Sequence, residues 1–429
     1  MLQTFPHARD FPIAWTLAAA VLSAGASCAP RFDPANARAQ FSSKAQSMEG
    51  SEPTTADPHP STNSPAPRYL IDSYLEWARR EGAPIIEDFG VDLMDVETGS
   101  WPRLGEGCKG AFVHLKGRGD HLTIFLMDVL PGAKSAPQRH IYDDVFVGLS
   151  GHGSVVVEAA DGSKHSFEWG PRSMFALPLN ARYQIFNGSG REPARLVSIN
   201  DMSWTMNFFR SEEFIFNNPV GFADRAGPAG FYSGEGEMTA IRPGRNLWET
   251  NFVADLAGFE LRPWEARGAG SSNMQFLLAE GSIGAHISGV PVGAYKKAHR
   301  HGPGAHVLAM TGSGYSLLWH EGQEDFIRRE WKYGFIYAPP DNMFHQHFNT
   351  GPEQARYVAF LFGSKRYPII GERRAHSEDQ GTDLSVKDGG CQLEYQDQDP
   401  KIHAMWLKEM RANGVPSKMG KHIDESVFP

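Results

Sequence analysis

GAYKKAHRHGPGAH (residues 293–306) and PDNMFHQHFN (residues 340–349), with Gly312-Ser-Gly314 between them, decide how this chain reads. Six of the 17 histidines lie between His299 and His347, and four of these form two His-x-His pairs. Successive side chains of an extended strand point to opposite faces, so residues two apart share a face. His299 and His301 should therefore project together, as should His345 and His347. Two such strands facing a common interior give an imidazole cluster suited to a divalent transition metal.

The frame around these pairs occurs twice. Pro131-Gly132, His140, Gly151-His-Gly153, Glu168-Trp169, Pro178, Asn187 and Ala194-Arg195 appear in that order in the first half. Val292-Gly293, His301, Gly312-Ser-Gly314, Glu330-Trp331, Pro340, Asn349 and Ala355-Arg356 answer them in the second. The step from His140 to Asn187 is 47 positions, and that from His301 to Asn349 is 48. Matched order and spacing imply a tandem duplication of one all-β domain. The intervening text supports this, because runs rich in Val, Ile, Phe and Tyr are broken by Gly and Pro, as short strands joined by turns require. Helical periodicity is confined to residues 69–81, ended by Gly82 and Pro84, and to residues 399–413. The second has Asp399 as N-cap, Pro400 in the first turn and Gly414 as a stop.

With 429 residues the chain can build two cores. A formal charge of -9 without a basic block excludes nucleic acid as a partner. Cys28, Cys108 and Cys391 have neither zinc-site spacing nor the density of a disulfide framework. Residues 11–26 are apolar, too short for a comfortable membrane span but suited to a signal-peptide core. Export is preferred over an upstream extension without a role, with Cys28 a candidate lipid anchor to a membrane. Residues 29–66 lack periodicity and read as a disordered tether. The expected layout is a signal segment (1–28), the tether (29–66), a first domain (67–212), a connection (213–247), a second domain (248–370) and a tail with a helix (371–429).

These motifs resemble the cupin superfamily, and the duplication resembles a bicupin with a loosely gentisate-dioxygenase-like architecture. Gly293, His299, His301, His306 and Gly312/Gly314 fall on the family's first motif, and Pro340, Asn342, His345 and Asn349 on its second. The resemblance covers roughly residues 110–200 and 280–365. It implies two tandem jelly-roll β-barrels with short terminal helices, a metal in the barrel mouth and a homo-oligomer. The ligands it implies are His299, His301 and His345. His306 is a fourth ligand or a neighbour, standing where the family often has glutamate; the shorter spacing puts Ala305 there. The first repeat carries Gln138, His140, Asp144 and Tyr183 at the matching positions, which reads as a lost site.

A three-His set leaves positions open on an ion such as Fe(II), the favoured metal, or on Mn, Zn or Ni. His347, beside His345, is a candidate proton shuttle. Tyr295, Lys297 and Arg356 are candidates to hold an anionic small-molecule substrate. Lys297 shares the face of His299 and His301 if the strand is regular, which makes it a catalytic candidate and leaves Lys296 on the surface. The resulting reading is a mononuclear Fe(II) dioxygenase acting on a small chelating substrate, hydroxy-aromatic or diketone-like. The alternatives are a redox-neutral metal-dependent isomerase, lyase or hydrolase, and a non-catalytic binding bicupin.

Overall fold

The computed structural model describes residues 70–117, 121–302, 305–369 and 383–428. The expected signal segment and tether lie outside the described residues. Strands dominate the rest and fall into four sheets, an eight-stranded with a three-stranded one, then a nine-stranded with a five-stranded one. The first pair buries Val129, Phe146, Val155, Val157 and Phe167 between its sheets, and the second pair buries Val290, Val307, Ala309, Trp331 and Tyr357. Each repeat is thus a two-sheet sandwich of the cupin type. Among the described residues no sheet closes on itself, so the expected barrels are open.

Burial follows from where each strand sits. In Gly153–Glu158 of the small first sheet, Val155 and Val157 are buried while Val156 faces out, the alternation of a sheet with one wet face. Thr123–Val129 of the large sheet is buried along its whole length. It lies between its own sandwich and a core shared by both repeats, where Val113, Ile124, Leu126 and Val197 meet Phe276, Ile287, Leu308 and Val358.

The duplicated landmarks do the same work in both halves. Asn187 Nδ2 donates to the carbonyls of Val129, Leu130 and Glu192, and Asn349 Nδ2 to those of Val290, Pro291 and Glu353. Arg195 donates to the carbonyls of Leu93 and Met94, Arg356 to those of Leu256 and Phe259. Gly151 and Gly312 both take positive φ, +71° and +72°, and a Cβ on either would press on Ala194 or Ala355. A Cβ on Gly153 or Gly314 would lie 1.9 Å from the carbonyl oxygen of Phe186 or Phe348 in the neighbouring strand.

The duplication also begins earlier than the sequence landmarks suggest. Ile85–Asp88 runs parallel to Cys108–Leu115, as Arg245–Thr250 does to Ser272–Leu278. Each is followed by a short strand that crosses to the other repeat. Gly90–Asp92 pairs with Phe335–Tyr337 of the second large sheet, and Phe252–Val253 pairs with Met174–Ala176 of the first.

Among the described residues two terminal helices flank the sandwiches, and two shorter ones that the sequence pattern did not announce, Met202–Phe209 and Glu212–Phe216, follow the first sandwich. The first terminal helix is Ser73–Glu81, starting later than the apolar period suggests because Asp72 accepts from Leu75 N and sets the cap there. The second, Pro400–Ala412, is capped by Asp399. Its Ile402, Trp406, Leu407 and Met410 pack on Tyr295, Tyr315 and Phe348, so it covers the outer face of the five-stranded sheet. No helix among the described residues is long and apolar enough to cross a membrane.

Candidate metal centre

The five-stranded sheet supplies the site. Ala298–His299 lies between Phe344–Asn349 and Gln392–Leu393, and His299 stands directly opposite His345. His301 lies two residues beyond the end of the strand, where its carbonyl accepts from Asn342 N at 3.0 Å. The ligand atoms of His299, His301 and His345 all lie within 4.8 Å of one another.

Hydrogen bonds orient two of these rings. His345 Nδ1 lies 3.2 Å from the Met343 carbonyl and His301 Nδ1 lies 3.0 Å from that of Gly302. A carbonyl only accepts, so each Nδ1 carries the proton and each Nε2 keeps a lone pair. His299 Nδ1 has no hydrogen-bond partner among the described residues. Burial pushes the pKa of His299, His301 and His345 below the usual imidazole value, with Arg267 and neighbouring imidazoles adding to the effect. The neutral form is the one a metal requires. Orientation, protonation and proximity all fit a divalent ion.

His347 shares the face of His345, with 5.7 Å between ring centroids. Its Nδ1 is held between the Ser316 hydroxyl at 2.8 Å and the Tyr337 hydroxyl at 3.0 Å. It stands outside the three-imidazole group, beside it.

His306 is placed elsewhere. It pairs with Phe360 across the large sheet, and Phe360, Leu308 and Met310 belong to the core between the repeats. Alternation puts His306 on that face, and Ala305 and Val307 on the inner one. The position nearest the histidines is therefore the alanine of the shorter spacing.

The lysines exchange roles for a related reason. Residues 296–297 are not regular strand, so the alternation from Tyr295 to His299 slips. Lys297 turns outward into a 2.6 Å ion pair with Glu394. Lys296, expected on the surface, is 1% exposed, and its Nζ lies 5.0 Å from the Tyr357 ring centroid, itself 4.5 Å from that of His347. Tyr295 points into the core under the last helix, its hydroxyl 2.9 Å from His403 Nδ1. Arg356 is committed to the two carbonyls named above. Neither reaches the histidines.

Three further groups near the site escaped sequence reasoning. His286 stands opposite Ala359 on the inner face. Arg245 and Arg267 lie 4.2 and 4.8 Å from the Trp264 ring centroid. Both arginines come from segments ahead of the recognisable motifs. Only the inner-face parity of His286 with Ser288 carried any signal.

The first repeat shows what a closed version looks like. His140 is sandwiched, with Nδ1 2.9 Å from the Tyr142 carbonyl and Nε2 3.1 Å from the Tyr183 hydroxyl. Burial lowers His140 to about 3 and raises Asp144 to about 8. They stand 3.9 Å apart, and burial disfavours the charged form of each. The adjoining space is about 40 Å³, lined by Trp101, Phe125, Phe146 and Tyr183.

The tandem sandwiches give the chain the fold of a bicupin. No protein-family model matches the sequence, and no curated protein does. Among solved structures, the oxalate decarboxylase of Lactobacillus farciminis in complex with formate is similar, with a TM-score of 0.42 and 14% identity over 66% of this chain and 87% of that one. A tryptophan-to-phenylalanine variant of the B. subtilis oxalate decarboxylase gives 0.42 and 14% over 65% and 78%. Likeness at that level says nothing about chemistry, and the fold rests on the sheets themselves.

Proposed function

We propose that this chain is a mononuclear metal enzyme whose divalent ion is held by His299, His301 and His345, with Fe(II) preferred over Mn, Zn or Ni. We further propose that it acts as a dioxygenase on a small chelating substrate. The convergence of three neutral imidazoles, two of them buried, with no carboxylate in the cluster, carries this reading. An ion bound there keeps its double positive charge, can take two substrate oxygens and, as iron, supplies oxygen chemistry.

The protein's own contribution is to orient and to exclude water. The carbonyls of Met343 and Gly302 fix two imidazoles. Ser316 and Tyr337 fix His347 through Nδ1, leaving its Nε2 to receive or give a proton beside the substrate. A redox-neutral lyase, isomerase or hydrolase is the second reading. It is favoured by Lys296 and Arg267 beside the site, which would stabilise a developing anion without electron transfer.

The test is to purify the protein without chelators, measure bound metals, and follow oxygen uptake with catechol-like and 1,3-diketone compounds. His299→Ala and His345→Ala should lose the metal. Full retention in both would remove the site. Bound iron with no oxygen uptake on any of these compounds would transfer the case to the second reading.

A further inference from the structure

Lys296 is the most unusual side chain in the second sandwich. Its ammonium carries three donors, yet Nζ is buried with no hydrogen-bond partner among the described residues. The rings of Tyr357 and Trp264, at 5.0 and 5.6 Å, flank it without satisfying those donors. Glu394 pairs instead with Lys297 and Asp383 with Arg242, each at 2.6 Å. Arg245 and Arg267 share the Trp264 ring with Lys296, which makes three cations around one indole. A buried amine with its hydrogen bonds unmade is costly and is retained where a partner arrives.

The cations lie to one side of the histidines. Lys296 is linked to them through Tyr357 and then His347, whose ring centroid is 6.4 Å from that of His299. A ligand that chelates an ion at the triad and extends along this series of rings would bring its far end to Lys296.

We propose that Lys296 receives a second anionic group, a carboxylate, of a substrate whose other end chelates the metal, so that the ligand class is a small dicarboxylate or comparable dianion. This rests on the metal reading above and narrows its substrate. Lys296 then binds and orients the substrate, and the apolar inner face around it selects length.

The experiment titrates Zn(II)-loaded protein calorimetrically with dicarboxylates from malonate to adipate, each against the monocarboxylate of equal length. Wild type should prefer one or more dicarboxylates. K296M should bind them about 10- to 100-fold more weakly, with metal content and monocarboxylate affinity within about twofold of wild type, and K296R should recover part of the loss. A wild-type protein that does not distinguish the two series overturns the proposal, as does a K296M protein that keeps the preference. Metal content of His299→Ala and His345→Ala is read separately. If those variants keep their metal, the metal reading fails alone, and the effect of K296M on dicarboxylates still judges the lysine.

Discussion

Replacing Lys296 by methionine should make the ligand-free protein more stable. Methionine keeps the length of the stem against Tyr357 and Trp264 and removes an amine that has no hydrogen-bond partner. Unmade hydrogen bonds of a buried polar group cost about 1–3 kcal/mol. Proton linkage adds to this. Burial first, then Arg267 and Arg245, pushes Lys296 well below the usual lysine value. The unfolded chain therefore holds more protons between the folded value and about 10.5, and wild-type stability rises with pH through that window, by up to about 1.4 kcal/mol per unit. K296M lacks that slope, so its advantage should be large at pH 7 and smaller at pH 9.5. We expect a gain of about 3 kcal/mol at pH 7. With about 2.1 cal/mol/K per residue over roughly 350 residues, this is a rise in Tm of about 4 °C. Differential scanning calorimetry of metal-free protein at both pH values measures it. A K296M protein no more stable than wild type, or a gain equal at pH 7 and 9.5, would refute the picture of an unsatisfied buried ammonium.

Asn349→Ala should cost about 3 kcal/mol in urea denaturation, because three carbonyls lose their donor in a fully buried turn; a loss under about 1 kcal/mol would show the clip to be dispensable. Gly314→Ala places a Cβ 1.9 Å from the Phe348 carbonyl oxygen, and it should destabilise by about 1–3 kcal/mol or more. It should also weaken metal binding, since the strand it displaces carries His345 and His347; unaltered metal affinity, measured by competition with a chelator, would contradict this. Asp144, pushed up to about 8 by burial, contributes stability that is present below about pH 4 and lost as pH rises through about 8. Asp144→Asn should therefore gain on wild type across that range, reaching about 5 kcal/mol at pH 8, and parallel stability–pH curves would count against it.

The duplicated frame was legible because glycines and asparagines at turns answer to backbone geometry. Gly312 needs positive φ whatever surrounds it, and Asn349 needs three carbonyls within reach, so both recur at fixed spacing. The proximity of His299 to His345 followed from alternation within strands. Alternation failed where the strand did: a slip of register between Tyr295 and Ala298 turned Lys297 out and Lys296 in, and no local pattern announces it. His306 went astray for the opposite reason. It lies in a regular strand, but the Gly-Pro-Gly sequence ahead of it carries no alternation from which to read the face that strand presents. Arg245 and Arg267 were invisible because their place depends on how the strands ahead of each motif dock.

The reciprocal crossing of Gly90–Asp92 and Phe252–Val253 bears on how such a chain arises and how it comes apart. Each repeat completes the other's sheet edge, which is the arrangement of a symmetric pair of subunits that trade an arm, here written into one polypeptide. Cutting the chain between the repeats would leave two exposed ladder edges, each a template for aggregation. The half that carries the histidine triad thus depends on the other half for the strand beside Phe335–Tyr337, and through Tyr337 for the hydroxyl that steadies His347. The second repeat needs that strand from the first, whatever chemistry the first retains.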